Sequence, residues 1–267
     1  MPNLIAATLS GGRNVGAMSL RLRREPPRFR RVTVRGLEPV TSRLHRVTLG
    51  GDDLDGFEHP GLAASVRLLL SHEKPTWNGN EFLLADGTRP VIRTLTPLRF
   101  DPEALTLDVE IVRHDGGAMS AWVDVASPGD EVAISGPGRG YDLDTAAPAF
   151  VIAGDETALP AIGQLLEAVP SSTAVTVDVE VADPAATIPH IDASWHVAEP
   201  DAPPGDSLVR AVEAAVIPDG ARVWVAGEAA AVQRIRKHLF EQRGLPRSQC
   251  TVRGYWKHGR AGGEEGS

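Results

Sequence analysis

The sequence predicts a β plus α/β protein: a six-stranded antiparallel β-barrel domain followed by a domain built on a parallel sheet. Three observations carry that expectation. Between Arg31 and Ile134, six short aliphatic runs are separated by Gly, Pro and Asp, the pattern of a small antiparallel barrel. After Pro148 the rhythm becomes apolar strands alternating with helix-length segments, which requires right-handed crossovers and a parallel sheet. A length of 267 residues is ample for two such cores. The expected division is a flexible basic tail over residues 1–30, the barrel over 31–146 and the α/β domain over 147–267.

The tail has no usable periodicity and gathers Gly11-Gly12, Pro26-Pro27 and a cluster of arginines, so it reads as solvated chain rather than a membrane-surface element. Met1 to Val47 holds ten Arg against Glu25 and Glu38, yet the whole chain carries a net charge of -8. That balance speaks against a nucleic-acid binder. Barrel strands are expected at Val32 and Val34, at Leu44, Val47 and Leu49, and at Val66–Leu70, Val91–Leu95, Leu105–Ile111 and Val132–Ile134. Ser127-Pro128-Gly129-Asp130 turns into the sixth, Gly136-Pro137-Gly138-Arg139-Gly140 ends the barrel, and Asp142 to Pro148 is a linker. The second half gives strands at Phe150–Ala153, Val175–Val181 and Val223–Ala226, with helices at Thr157–Val169, Leu208–Val216 and Ala229–Gln242. The lone Cys250 excludes an internal disulfide and fits a reducing compartment. No apolar run reaches the roughly 18 residues of a spanning helix, and Leu4 to Leu9 follows no basic segment, so a soluble cytoplasmic protein without a signal peptide is expected.

The chemistry concentrates between Arg93 and Trp122. In Ala104 to Val112, Leu105, Leu107, Val109 and Ile111 alternate with Thr106, Asp108 and Glu110, a strand with one buried face. Gly116 and Gly117 then precede a short helix. A helix beginning after paired glycines offers unpaired N–H groups and a positive dipole end, and glycine lets a bulky anion approach the backbone. Arg93, on the strand leading in, can add a forked donor to the same phosphate, and Thr96 is placed on the same strand face. The stretch reads as a nucleotide-cofactor cradle. In the second half, Gly154-Asp155-Glu156-Thr157 and Gly227-Glu228 follow parallel strands, where such sheets bind ligands; the plain alternative is an acidic residue favouring a helix N-terminus. Thr157 is an N-cap candidate. A cradle on a barrel, joined to a nucleotide-type parallel domain, is the arrangement of a flavin reductase.

From about Arg31 to Gly259 the chain resembles the siderophore-interacting protein family, FAD-dependent ferric-siderophore reductases related to the ferredoxin-NADP reductases. The strongest marks are Gly154-Asp155-Glu156-Thr157-Ala158-Leu159-Pro160-Ala161-Ile162 and Gly254-Tyr255-Trp256-Lys257-His258-Gly259. The resemblance implies that Arg93, Thr94, Leu95 and Thr96 form the flavin motif, with Thr96 and Thr157 beside the reacting ring as catalytic positions. It implies that His114, Gly116, Gly117, Ala118, Met119, Ser120 and Trp122 hold the FAD pyrophosphate, with Ser120 and the Trp122 indole as donors. Asp155, Glu156, Thr157 and Ala158 would line the nicotinamide side, Gly227 and Glu228 would face the dinucleotide, and Trp256 would contact cofactor. Arg67, Arg139 and Lys257 would bind the anionic ferric siderophore. Three positions depart from the family pattern: Leu95 for an aromatic, Leu98 for an arginine and Ala118 for proline. An aromatic would stack on the ring for about 0.5 to 1.5 kcal/mol beyond its burial, so leucine weakens that contact.

Electrons would come from NADH or NADPH. Asp183, after the second parallel strand, stands where an acid can read a ribose 2'-hydroxyl, in line with NADH. No Ser-His-Asp or Cys-His constellation is present, and the eight histidines have no zinc-site spacing. Two alternatives remain: a flavin reductase fed by a ferredoxin, and a flavin-free siderophore-binding module.

Overall fold

The computed structural model describes residues 28–70, 76–78, 82–114 and 116–259; the predicted tail lies outside them as far as residue 27. The first half forms β1 (Phe29–Pro39), β2 (Leu44–Gly50), β3 (Val66–Leu69), β4 (Thr76–Trp77), β5 (Phe82–Leu83), β6 (Ile92–Leu95), β7 (Pro97–Asp101), β8 (Thr106–Val112), α1 (Ala118–Val125) and β9 (Glu131–Ser135). Seven of these strands make one antiparallel sheet in the order β6-β3-β9-β1-β2-β8-β7, and β4 and β5 pair separately. The expectation of six strands is therefore corrected to seven plus a hairpin. The added strand is β7, hidden because it opens on Pro97, a residue tolerated only at the start or edge of a strand. Six spacings of about 4.8 Å would put the end strands of a flat sheet about 29 Å apart. Yet the two ends of the order, β6 and β7, are joined through Thr96 alone. The sheet is thus curled on itself, with Thr96 at the closure.

Inside the curl, Val34, Val47, Leu49, Leu68, Leu107, Val109 and Ile134 are buried, and α1 adds Met119 and Val123. The second face of β8 is also covered, against the expectation of one buried face: Asp108 and Glu110 are 7% and 8% exposed. Each is charge-neutralised where it lies. Thr48 Oγ1 donates to Asp108 at 2.7 Å, Arg99 reaches Asp108 at 3.1 Å, and Arg46 reaches Glu110 at 2.8 Å.

The second half comprises β10 (Ala149–Asp155), α2 (Leu159–Ala168), β11 (Ala174–Val181), β12 (Ser194–Val197), α3 (Asp206–Ala214), β13 (Arg222–Glu228), α4 (Ala229–Lys237) and β14 (Cys250–Trp256). All neighbours in its sheet, β12-β11-β10-β13-β14, run parallel. The edge strands β12 and β14 were not anticipated, because Ser194, His196, Arg253 and Gly254 break the apolar run that marks a central strand. Two helix starts move: a 3-10 turn, Glu156–Ala158, precedes α2, and α3 begins at Asp206. The last predicted helix is α4 continued by a π-helical turn, His238–Gln242. Among the described residues no helix is long and apolar enough to cross a membrane.

The halves share a core. Leu44 and Ala63 of the barrel pack in one cluster with Ile152, Ile162 and Trp224 of the parallel sheet. Gln164 of α2 crosses the boundary as well, donating to the carbonyls of Pro97 (2.7 Å) and Leu98 (3.1 Å) and accepting from Ala63 N at 2.9 Å.

Helix α3 lacks a side-chain cap of its own. Buried Glu180 of β11 substitutes, accepting from Gly205 N at 2.6 Å and Leu208 N at 2.9 Å. Glu180→Ala leaves both donors buried and unsatisfied, a loss of about 1–3 kcal/mol. Urea denaturation should show a lower midpoint at unchanged slope, with faster amide exchange in α3.

Candidate functional site at the seam of the two lobes

Strand order reverses between β10 and β13, which makes their carboxyl ends the expected ligand crevice. Asp155 sits there, 7% exposed. Its Oδ1 accepts from Thr157 N (2.9 Å) and Thr157 Oγ1 (2.5 Å), and its Oδ2 accepts from Glu228 N (2.9 Å) and Trp256 Nε1 (2.7 Å). One carboxylate therefore ties β10, β13 and β14 together. A side chain at 227 would forbid this: a Cβ on Gly227 would lie 2.7 Å from Asp155 Oδ2. The capping residue is Asp155 itself, which corrects Thr157 as the N-cap; Thr157 stands inside the turn as a donor. Burial pushes the Asp155 carboxyl up to about 6, against the pull of its donors.

The neighbouring acids are also held by the protein. Glu156 accepts from Arg43 Nε at 2.8 Å and Ala182 N at 2.5 Å, joining the ends of β10 and β11 to the turn between β1 and β2. Ala158 is wholly buried against α2 and β10. Glu228 caps α4 through Ala230 N (2.6 Å) and Ala231 N (2.9 Å), and its other oxygen accepts from His258 N at 3.1 Å. Asp183 accepts from Ala185 N at 2.8 Å, capping a short 3-10 turn.

On the barrel side, Arg93 lies on β6, where partial burial pulls its guanidinium pKa down. Such a cation gains from an anion beside it. Thr94 is exposed and Leu95 packs on the barrel core. Thr96 does not share the Arg93 face as expected: three residues on in a period of two, it falls in the break between β6 and β7. There it is 6% exposed and hydrogen-bonded to Tyr255 of β14, so the closure of the barrel meets the edge of the parallel sheet.

At the predicted cradle, Gly117 is the N-cap of α1 and, among the described residues, no side chain caps the first turn. Gly116 takes φ +73°, a conformation that favours glycine. The His114 ring lies against Gly117, where a Cβ would approach it to 2.4 Å, and His114 N donates to Ser120 Oγ at 2.8 Å. Ser120 keeps a hydroxyl proton to donate. Ala118 starts the helix, while Met119 is buried in the barrel core and can offer a ligand only its backbone. Trp122 packs on the same core. An uncapped helix start after a left-handed glycine, with a part-buried arginine on a nearby strand of the same barrel, suits the diphosphate of FAD.

Of the three predicted substrate cations, Arg67 lies on β3 beside β6. Arg139 is highly exposed and pairs with Asp142 at 3.3 Å. Lys257 is exposed just beyond β14. Sequence reasoning missed Arg43, Tyr255 and Gln164 as seam residues. Tyr255 stood inside a quoted motif, but nothing local marks Arg43, 113 residues from its partner Glu156.

Because its folded pKa is raised, Asp155 holds its proton in the native state between about pH 4 and 6 while the unfolded chain releases it. Stability from this group therefore falls as pH rises through that window, by up to about 3 kcal/mol for a two-unit shift. Thermal melts of wild type and Asp155→Asn from pH 4 to 7 should show the wild type losing ground to the variant with rising pH; parallel curves would refute the assignment.

The profile of the siderophore-interacting FAD-binding domain matches residues 27–141, and that of the siderophore-interacting protein matches 147–259. Ferric vibriobactin reductase ViuB of Vibrio cholerae is 30% identical over 83% of this chain and 86% of its own. The NADPH-dependent ferric-chelate reductase of Escherichia coli is 28% identical over 86% of this chain and 93% of its own. The crystal structure of a siderophore utilization protein from T. fusca superposes with a TM-score of 0.76 at 32% identity, covering 90% of this chain and 97% of that one. With both lobes and the seam between them accounted for, the chain belongs to the siderophore-interacting protein family.

Proposed function

We propose that the chain is an FAD-dependent ferric-siderophore reductase supplied with electrons by NAD(P)H. What supports this most is the hydrogen bond of Thr96 to Tyr255, which joins the closure of the barrel to the edge strand of the parallel sheet, on a barrel that also carries an uncapped helix start and the part-buried Arg93. Relatives named as reductases of ferric vibriobactin and of ferric chelates support the substrate class. FAD, when bound, accepts a hydride from the nicotinamide and passes single electrons on to iron.

The chain's part is to bind and orient. Arg93 and the α1 N-terminus would hold the diphosphate, and Thr96, buried and hydrogen-bonded to Tyr255, would lie beside the ring. Gly227, by lacking a side chain, makes room for the Asp155 carboxylate at the end of β13. Arg67, Arg139 and Lys257 attract an anionic chelate that remains outside the fold. Ferric ion is held by hard oxygen ligands far more tightly than ferrous ion, so electron delivery alone opens the chelate. No protein base is needed, which accords with seam carboxylates that all serve as hydrogen-bond acceptors within the fold. We place the reaction in the cytoplasm, where NAD(P)H is available.

Purified protein should bind FAD and turn yellow. Anaerobic mixing with NADH, NADPH or reduced ferredoxin should bleach it with a pyridine nucleotide, and adding a ferric siderophore with a ferrous trap should restore the colour. A colourless protein that refuses FAD would leave the binding-module reading, and bleaching by ferredoxin alone would replace the electron donor. Arg93→Ala should raise the FAD dissociation constant by about 10- to 100-fold, the loss of one charge-assisted pairing of about 1.5–3 kcal/mol.

A further inference from the structure

The segment just beyond β14 is fastened at two points. The Trp256 indole donates to Asp155 Oδ2 at 2.7 Å, and His258 N donates to Glu228 Oε1 at 3.1 Å. The two acids stand at the carboxyl ends of β10 and β13 and are themselves linked, Glu228 N to Asp155 Oδ2 at 2.9 Å. Between the fastenings lies Lys257, exposed and without a salt bridge among the described residues. The Trp256 and His258 rings approach each other, centroids 6.5 Å apart at 71°. Lys257 is the single residue between the end of β14 and the turn at His258-Gly259. Each carboxylate is satisfied by backbone, hydroxyl or indole donors, and neither forms an ion pair with the ammonium.

From this geometry we infer that Asp155 and Glu228 are positioning residues: they stretch Trp256–His258 as a strap that holds Lys257 toward a negatively charged ferric chelate and so set selectivity for anionic over neutral substrates. The inference rests on the ferric-siderophore reading above and names the charge class of the substrate. A lysine on a free tail would spend its attraction on ordering four rotatable bonds and the backbone beneath them; a fastened one loses less on binding.

Two measurements test it. In FAD-loaded enzyme, the ratio of kcat/KM for ferric citrate to that for a neutral ferric trihydroxamate cancels any change in flavin content or hydride transfer. Lys257→Ala should lower this ratio about tenfold. Trp256→Phe, which keeps a ring and deletes only the indole donor, should lower it severalfold, and the double variant should match Lys257→Ala because both changes remove one effect. An unaltered ratio in Trp256→Phe, or penalties that multiply, would overturn the inference. The second readout is independent of turnover: limited trypsin cleavage after Lys257 should be about tenfold faster in Trp256→Phe than in wild type, and equal rates would overturn it. A wild type that reduces neither chelate would instead strike the reductase reading, with the proteolysis still deciding the strap.

Discussion

The fold at the seam depends on one buried carboxylate. Asp155 accepts four hydrogen bonds from Thr157, Glu228 and Trp256, and those donors belong to three different segments of the parallel sheet's carboxyl edge. An isolated buried carboxylate is costly, and its raised pKa records that cost even with four donors. Its donors are the reason the group persists. Removing any one leaves the remaining charge less compensated, so the strand ends are mutually dependent rather than separately stable.

The same logic extends from strand to lobe. Two globular halves joined by a linker are free to rock unless their interface is large and apolar, and here the core cluster itself crosses the boundary through Leu44 and Ala63. Polar ties are added at its rim: Gln164 with the Pro97 and Leu98 carbonyls, Arg43 with Glu156, and Arg253 with the carbonyls of Ala63 and Gly140 at 3.4 Å each. Leu98 is one of the positions where the sequence departs from the family pattern. Its carbonyl, rather than its side chain, makes the tie, so the departure leaves the tie intact. The Trp224 indole nitrogen has no hydrogen-bond partner among the described residues, and its ring meets Tyr255 edge to face at 6.3 Å. Tyr255 thereby transmits the packing of the sheet to Thr96 at the barrel closure.

How far this was readable in the chain follows from the range of each interaction. The order of barrel then parallel sheet, the switch-point acids and the paired glycines are local patterns, and residues near one another in sequence display them. β7 was concealed by Pro97, and the full burial of β8 by partners from β2 and β7 that no period-two count can see. The acids at 155, 156 and 228 stand after strands that the sequence displays, but their partners lie up to 113 residues away. Spacing could mark them as ligand-facing; only the fold reveals that protein donors already satisfy them. Thr96 shows the converse. The motif singles it out, whereas its placement at a break between strands required knowing that the sheet curls shut.

Under the reading proposed above an anionic chelate is met by a few basic groups, although the chain as a whole carries -8. These statements do not conflict. At physiological ionic strength the screening length is about 8 Å, so an anionic chelate at the seam responds to the cations within that distance and hardly at all to acidic surface elsewhere. The consequence is that recognition cannot draw on net charge and must rely on the placement of a few basic groups. In the inference drawn above, placement is what the carboxyl edge of the parallel sheet supplies, because Asp155 and Glu228 hold the backbone on either side of Lys257.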